Sequence, residues 1–189
     1  MTAMTHKAYG RPYTVEDLEG MPDDGHRYEL IDGVLFVSPA PGFRHQKVVV
    51  KLVGQLDAVC PETMHVLMAP FAVRPSPSTE LQPDVLVARD EDFTEKLLPV
   101  GPLLAVEVLS PSTALNDLNN KKAAYERMGV PSYWVVDPHE LKLVVFELDA
   151  RGCYEQVAEV KGEDAFEATL PFPARIVPAT LLGTWVDRA

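Results

Sequence analysis

Two acidic residues, Asp84 and Glu107, stand in apolar segments of the chain where a charged side chain is unexpected. Glu107 lies in the middle of residues 103–109, which are apolar at both alternating positions, a pattern typical of a strand covered on both faces. Burial of an unpaired charge costs on the order of several kcal/mol. We therefore expect a cation or a metal ion beside Glu107, or its exposure at a sheet edge.

Asp84 follows Pro83 and begins a second apolar strand pattern, residues 84–88. Adjacent strands could bring the carboxylates of Asp84 and Glu107 to one point. Such a pair suits Mg²⁺, which prefers oxygen ligands and keeps several waters, and a bound Mg²⁺ can assist phosphoryl chemistry. The structural alternatives are that Asp84 serves a turn after proline and that Glu107 forms a simple salt bridge.

Two adjacent lysines follow Glu107 in a predicted helix over residues 115–128. Leu118 and Tyr125 define the inner face of this helix, and Lys121 and Lys122 flank that face about equally. A lysine beside a metal site could orient an attacking water and offset negative charge in a transition state. Alternatively, both lysines form ordinary i,i+4 ion pairs along the helix. Helical periodicity does not choose between them.

Other polar residues could approach the same point. Glu29 lies on a predicted hairpin strand and is a third candidate acid, and His45 lies on the apolar side of the first long helix. His45 either points into a site or is an ordinary core histidine. Arg44, Lys47 and Lys51 share one side of that helix and form either a phosphate-contacting stripe or a solvated face.

The elements that must position these residues form one mixed α/β domain over residues 1–189, with a central mixed sheet flanked by helices. The Asp32-Gly33 pair between apolar runs predicts a hairpin. Residues 1–13 are expected to form a loose arm. The predicted helices cover a short segment after Thr14, then residues 43–60 and 115–128. The predicted strands cover residues 27–31, 34–37, 66–73, 84–88, 103–109, 132–136, 142–148 and 154–160. A loop is expected at 75–79, and an apolar stretch lies at 180–185.

Composition limits the function classes. The chain has a net charge of −11, which opposes nucleic-acid binding unless a local basic groove or bound metal overrides it. Two distant cysteines make neither a disulfide framework nor a zinc motif. No run approaches the roughly 20 apolar residues of a membrane span, and the N-terminus lacks a secretory apolar segment. We therefore expect a cytoplasmic protein without membrane partners.

Six motifs follow one another along the chain, and Lys121 stands four residues before Tyr125. The motifs are YELIDG (28–33), SPAP (38–41), RHQ (44–46), PDV (83–85), VEVLSPS (106–112) and GVPSYWVVDP (129–138). Together, these residues resemble the PD-(D/E)XK nuclease superfamily, and within it a family of predicted restriction endonucleases first described as a domain of unknown function. The resemblance covers roughly residues 12–150.

The resemblance implies a restriction-endonuclease-like fold and a metal-dependent phosphodiesterase. Asp84 and Glu107 match the metal-binding acids, and the backbone carbonyl of Val108 is implied as a further ligand. The superfamily's usual lysine position is occupied by Leu109, and the family pattern instead places the lysine in the following helix, at Lys121.

In the same pattern Glu29 matches an upstream acid, and His45 matches a motif residue to which no role is assigned. The leading hypothesis is an endonuclease that cleaves DNA with Mg²⁺ or Mn²⁺, and a homodimer would suit cleavage of both strands. One alternative is a catalytically inactive module that binds nucleic acid or a protein partner. Another is a metal phosphodiesterase that acts on small substrates.

Overall fold

The structure, a computed structural model, describes residues 4–6, 10–110 and 117–183. Its elements form a mixed α/β fold, as predicted. In chain order the elements are β1 (Met4–His6), α1 (Val15–Glu19), β2 (Arg27–Ile31), β3 (Val34–Ser38), α2 (Phe43–Asp57), β4 (Met64–Met68), β5 (Ala72–Ser76), β6 (Thr79–Leu81), β7 (Val85–Arg89), β8 (Leu97–Leu98), β9 (Leu104–Val108), α3 (Lys122–Arg127), β10 (Ser132–Asp137), β11 (Lys142–Leu148), β12 (Tyr154–Lys161), β13 (Phe166–Ala168), β14 (Ala174–Ile176) and α4 (Pro178–Leu182).

Two six-stranded sheets make up most of the fold. The first has the order β1-β3-β2-β6-β5-β8, and the second has the order β12-β11-β10-β9-β7-β4. In the second sheet β9 and β10 run parallel, whereas the other neighbours run antiparallel, so this sheet is mixed. The β2–β3 hairpin turns at Asp32 and Gly33, both at positive φ (50° and 77°), as the Asp-Gly pair predicts.

Helix α2 packs one face on the second sheet. Its buried residues are Val48, Val49, Leu52 and Leu56, whose spacing places them on one side of a helix, with His45 at the same side near the N-terminus. The cluster that they join includes Val106 and Val108 of β9. Packing of α2 thus fixes His45 next to the central strands.

Three expectations need correction. Residues 66–73 do not form one strand, because β4 ends at Met68 and β5 begins at Ala72, with Pro70, which has no N–H to donate, between them. The loop expected over residues 75–79 is reduced to a turn at 77–78, because residues 75 and 76 lie within β5 and residue 79 begins β6. Within the expected loose arm, Met4–His6 instead pairs antiparallel with β3.

The helix expected over 115–128 is divided. Asp117–Lys121 forms a π-helical turn, and α3 follows it directly. The expected start at residues 115–116 lies outside the described residues, as do residues 184–185 of the apolar stretch near the C-terminus, where α4 forms. Among the described residues no helix is long and apolar enough to cross a membrane.

Candidate active site

The structure brings Asp84 and Glu107 together across two neighbouring strands. Strands β7 and β9 are antiparallel, with Val85 opposite Val106, and one further step along this register places Asp84 opposite Glu107. Side chains at opposed positions share a face of the sheet, with Cβ atoms about 5 Å apart. Both residues are buried, with 3% and 1% of their surface exposed.

Three donors surround the Asp84 carboxylate. Oδ2 accepts from His45 Nε2 at 2.9 Å and from the Val108 backbone N–H at 2.8 Å, and Oδ1 accepts from Arg27 Nη1 at 2.9 Å. Burial alone would raise the pKa of Asp84. The hydrogen bond and charge of His45, with the charges of Arg27 and Lys121, outweigh burial and hold this pKa well below its usual range. Asp84 is therefore a firmly ionised carboxylate.

Lys121 joins the other two acids. Its Nζ lies 3.0 Å from Glu107 Oε2 and 3.0 Å from Glu29 Oε2. The hydroxyl of Tyr125 donates to Glu107 Oε1 at 2.8 Å, and the backbone N–H of Gln82 donates to Glu29 Oε1 at 2.8 Å. All three charged side chains are almost completely buried. Both oxygens of each glutamate thus have a donor.

The two adjacent lysines have different surroundings. Lys121 ends the π-helical turn and faces the acids, whereas Lys122 begins α3 and lies over the Phe146 ring, 3.9 Å from its centroid. Tyr125, one turn after Lys121, is on the side of the acids. Burial and the charges of Glu107 and Glu29 raise the pKa of Tyr125 well above its usual value, so Tyr125 stays a hydroxyl donor.

Sequence reasoning missed Arg27. It lies on β2 two residues before Glu29, so both side chains point to the same face, and this alternation was a signal in the sequence. Arg27 Nη1 also donates to the Gln82 carbonyl at 3.1 Å. Burial alone would lower the pKa of Arg27, but the charges of Asp84 and Glu29 raise it above its ordinary value. Arg27 is a fixed cation of the site.

The charges nearly balance without any ion. Among the described residues, the acids at positions 29, 84 and 107 face the cations at positions 27 and 121, and His45 and Tyr125 donate further hydrogen bonds to them. This arrangement satisfies buried carboxylates that would otherwise be costly. The cation predicted beside Glu107 is thus a lysine in this structure.

The donor set also fits a divalent metal ion. No group of three or more His, Cys, Asp or Glu side chains with metal-binding spacing occurs in the described part of the chain. Mg²⁺ does not require one, because it commonly binds through one or two carboxylates and retains waters. The opposed carboxylates of Asp84 and Glu107 would supply those two oxygen ligands. The Val108 N–H contacts Asp84, and a ligand role for the Val108 carbonyl stays a prediction.

Comparisons with known proteins agree with this fold. Residues 15–180 match the model of the Uma2 family, described as “Putative restriction endonuclease”. A crystal structure of a putative nuclease belonging to DUF820, from Anabaena variabilis, superposes with a TM-score of 0.76 at 17% identity, covering 93% of this chain and 99% of that one. No curated protein matched. The structural likeness establishes a restriction-endonuclease-like fold.

Proposed function

We propose, because the chain belongs to the Uma2 family, that it is a nuclease, and in particular a Mg²⁺-dependent endonuclease that hydrolyses DNA phosphodiester bonds. The observation that carries the proposal is the opposition of two buried carboxylates, Asp84 and Glu107, with the Lys121 ammonium 3.0 Å from Glu107. Buried groups with strongly perturbed pKa values, such as Asp84, cluster at functional sites.

Each residue has a role in this proposal. Asp84 and Glu107 hold the metal, which when bound lowers the pKa of a water and stabilises charge on the phosphoryl group. Lys121 donates a hydrogen bond that orients the attacking water and offsets negative charge as the bond to phosphorus forms. Glu29 positions the lysine through their 3.0 Å contact, and His45 positions Asp84.

A basic side of α2 supports DNA as the substrate. Arg44, Lys47 and Lys51 lie on this helix, which also carries His45, and none of the three is buried. Phosphate contacts by such a stripe would offset the net charge of −11 locally. We also retain the proposals of Mn²⁺ as a substitute metal, a cytoplasmic location and a homodimer, since cutting both strands needs two active sites.

A plasmid-nicking assay tests the proposal. Supercoiled DNA is incubated with wild type, Glu107→Gln and Glu159→Gln, with Mg²⁺ or Mn²⁺ and with chelator. Glu159 is exposed on β12 and serves as a matched control. We expect nicking by wild type and Glu159→Gln only when metal is present. Equal nicking by Glu107→Gln would show that the assigned site is wrong.

The charge balance also favours a second candidate. The acids already have protein partners, because Arg27 forms an ion pair with Asp84 and Lys121 forms one with Glu107. Such a site is complete without metal, as expected of a module that binds nucleic acid or a protein without turnover. Calorimetric titration with Mn²⁺ separates the two candidates. Absence of binding at millimolar metal, together with absence of nicking, would favour the module.

A further inference from the structure

A small pocket of about 190 Å³ opens beside Asp84, and the proposed function gives no role to this pocket. Its polar lining comprises Arg27, His45, Gln46 and Asp84. Of these, Arg27 and His45 both contact Asp84, and Gln46 is exposed on α2. The pocket therefore shares the Asp84 carboxylate with the proposed active site, and the Arg27 guanidinium lines it.

The rest of the lining is apolar. Pro41, Val49, Met68, Ala69 and Pro70 contribute to it. Met68 is 45% exposed, among the largest exposures of an apolar side chain in the described part of the chain. A cavity of roughly 150 Å³ with an apolar lining accepts benzene, so a single six-membered ring fits in this volume. A pyrimidine nucleotide combines a flat ring with an anionic group, and nucleotides are the units of the proposed substrate.

We infer that this pocket is a subsite for one nucleotide of the substrate strand, in which Arg27 binds the phosphate and the apolar wall contacts the sugar and base. The inference rests on the proposed function, because it takes the substrate to be a nucleic acid. An arginine suits the phosphate, since its planar guanidinium donates two parallel hydrogen bonds. Gln46, at the exposed rim, can hydrogen-bond to a base edge.

The charges of Arg27 and Asp84 predict how the affinity for a phosphate depends on position 84. Arg27 is engaged by Asp84 Oδ1 at 2.9 Å, and this carboxylate also repels a phosphate. An asparagine at position 84 can keep its carbonyl oxygen toward Val108 N–H and His45, which places its NH₂ group toward Arg27. Asp84→Asn therefore removes the contact of the guanidinium with a carboxylate, leaves its hydrogen bond to the Gln82 carbonyl, and removes the repulsion. Thymidine 5′-monophosphate should then bind roughly tenfold tighter than to wild type without metal.

Methyl NMR of the full chain tests the subsite. The chain has six methionines, and ¹³C-methyl labelling makes each a separate reporter. Met68 lines the pocket, whereas Met64, at the other end of β4, lines a different surface concavity and serves as the internal control. Metal-free wild type and Asp84→Asn are titrated with thymidine 5′-monophosphate, thymidine and inorganic phosphate, and Met68→Ala assigns the signal.

The expected result is a saturable shift of the Met68 methyl with the monophosphate, at lower concentration in Asp84→Asn, and little shift of Met64. No Met68 shift in either protein, or equal shifts of both methyls, would overturn the subsite. Thymidine binding as tightly as its monophosphate would overturn the role of Arg27. If Asp84→Asn does not fold, the wild-type titration decides.

The test is independent of cleavage. Asp84→Asn lacks a proposed metal ligand and cannot turn over, yet it should bind the monophosphate. Saturable binding at Met68 with no nicking by wild type would retain the subsite and reject the nuclease. Nicking by wild type without binding at Met68 would retain the nuclease and reject the subsite.

Discussion

The Lys121 ammonium nitrogen lies 3.0 Å from Oε2 of Glu107 and 3.0 Å from Oε2 of Glu29, and all three side chains are almost completely buried. Glu29 belongs to β2 of the first sheet, and Glu107 belongs to β9 of the second. A single cation therefore links the two sheets. The same contact that prepares a lysine for chemistry also stabilises the fold.

Replacement of this lysine should destabilise the protein strongly. Lys121→Met leaves Glu29 and Glu107 buried without their cation, and loss of one partner of a buried ion pair costs about 3–5 kcal/mol. Lys122→Met is the control, because it removes only a contact with the Phe146 ring, worth about 0.5–1 kcal/mol. Urea denaturation measures both free energies of unfolding. Similar losses in the two variants would contradict the assignment of position 121.

Replacement of Glu107 by glutamine should have a smaller effect on stability than replacement of Lys121. Lys121 keeps Glu29 as its partner, and the acids at 29 and 84 then match the cations at 27 and 121, but the amide offers one acceptor oxygen to two donors, the Tyr125 hydroxyl and the Lys121 ammonium. We expect Glu107→Gln to lower the free energy of unfolding by about 1–3 kcal/mol. Metal binding, measured by calorimetry, should be lost.

A loss in Glu107→Gln as large as that in Lys121→Met would instead mark the ion pair with Lys121 as the main role of Glu107. Glu159→Gln, with its exposed side chain on β12, controls for the loss of one negative charge.

The sequence predicted two of the buried acids because each stands at a place where the local pattern makes a charge unexpected. Glu107 stands within an apolar strand, and Asp84 begins another. The Asp32-Gly33 turn is similarly local, since positive φ at two adjacent residues limits the residue types. Such features depend on neighbours along the chain and so can be read from it.

Contacts between distant elements could not be read in the same way. Periodicity left Lys121 and Lys122 equivalent, because the π-helical turn that orients Lys121 departs from the 3.6-residue repeat. Arg27 reaches Asp84 across 57 positions, and the antiparallel pairing of β2 with β6, which ends three residues before Asp84, brings them together. The break between β4 and β5 was also missed, because their apolar residues form one continuous run.

The charge on Asp84 predicts a pH dependence. Its pKa is lowered in the folded protein, so between the unfolded value, about 3.9, and the lower folded value the unfolded chain binds more protons. The ionised Asp84 therefore contributes fully to the free energy of unfolding above its pKa in the unfolded chain. This contribution is lost as the pH falls through its lower pKa in the folded protein. Urea denaturation from pH 6 to pH 3 should show a steeper loss in wild type than in Asp84→Asn. Parallel curves would contradict this assignment.

His45 should act on metal affinity through Asp84. Its Nε2 donates to Asp84 Oδ2. Its buried Nδ1 has no hydrogen-bond partner within the described residues. The hydrogen bond from Nε2 is therefore the polar contact through which the ring holds the Asp84 carboxylate in place. Loss of a partner that orients a metal ligand typically costs 10–100-fold in affinity. We expect that loss for Mn²⁺ in His45→Leu by calorimetry, and a smaller one in His45→Gln, whose amide can still donate. His139→Leu, at an exposed turn, is the control, and wild-type affinity in His45→Leu would exclude the positioning role.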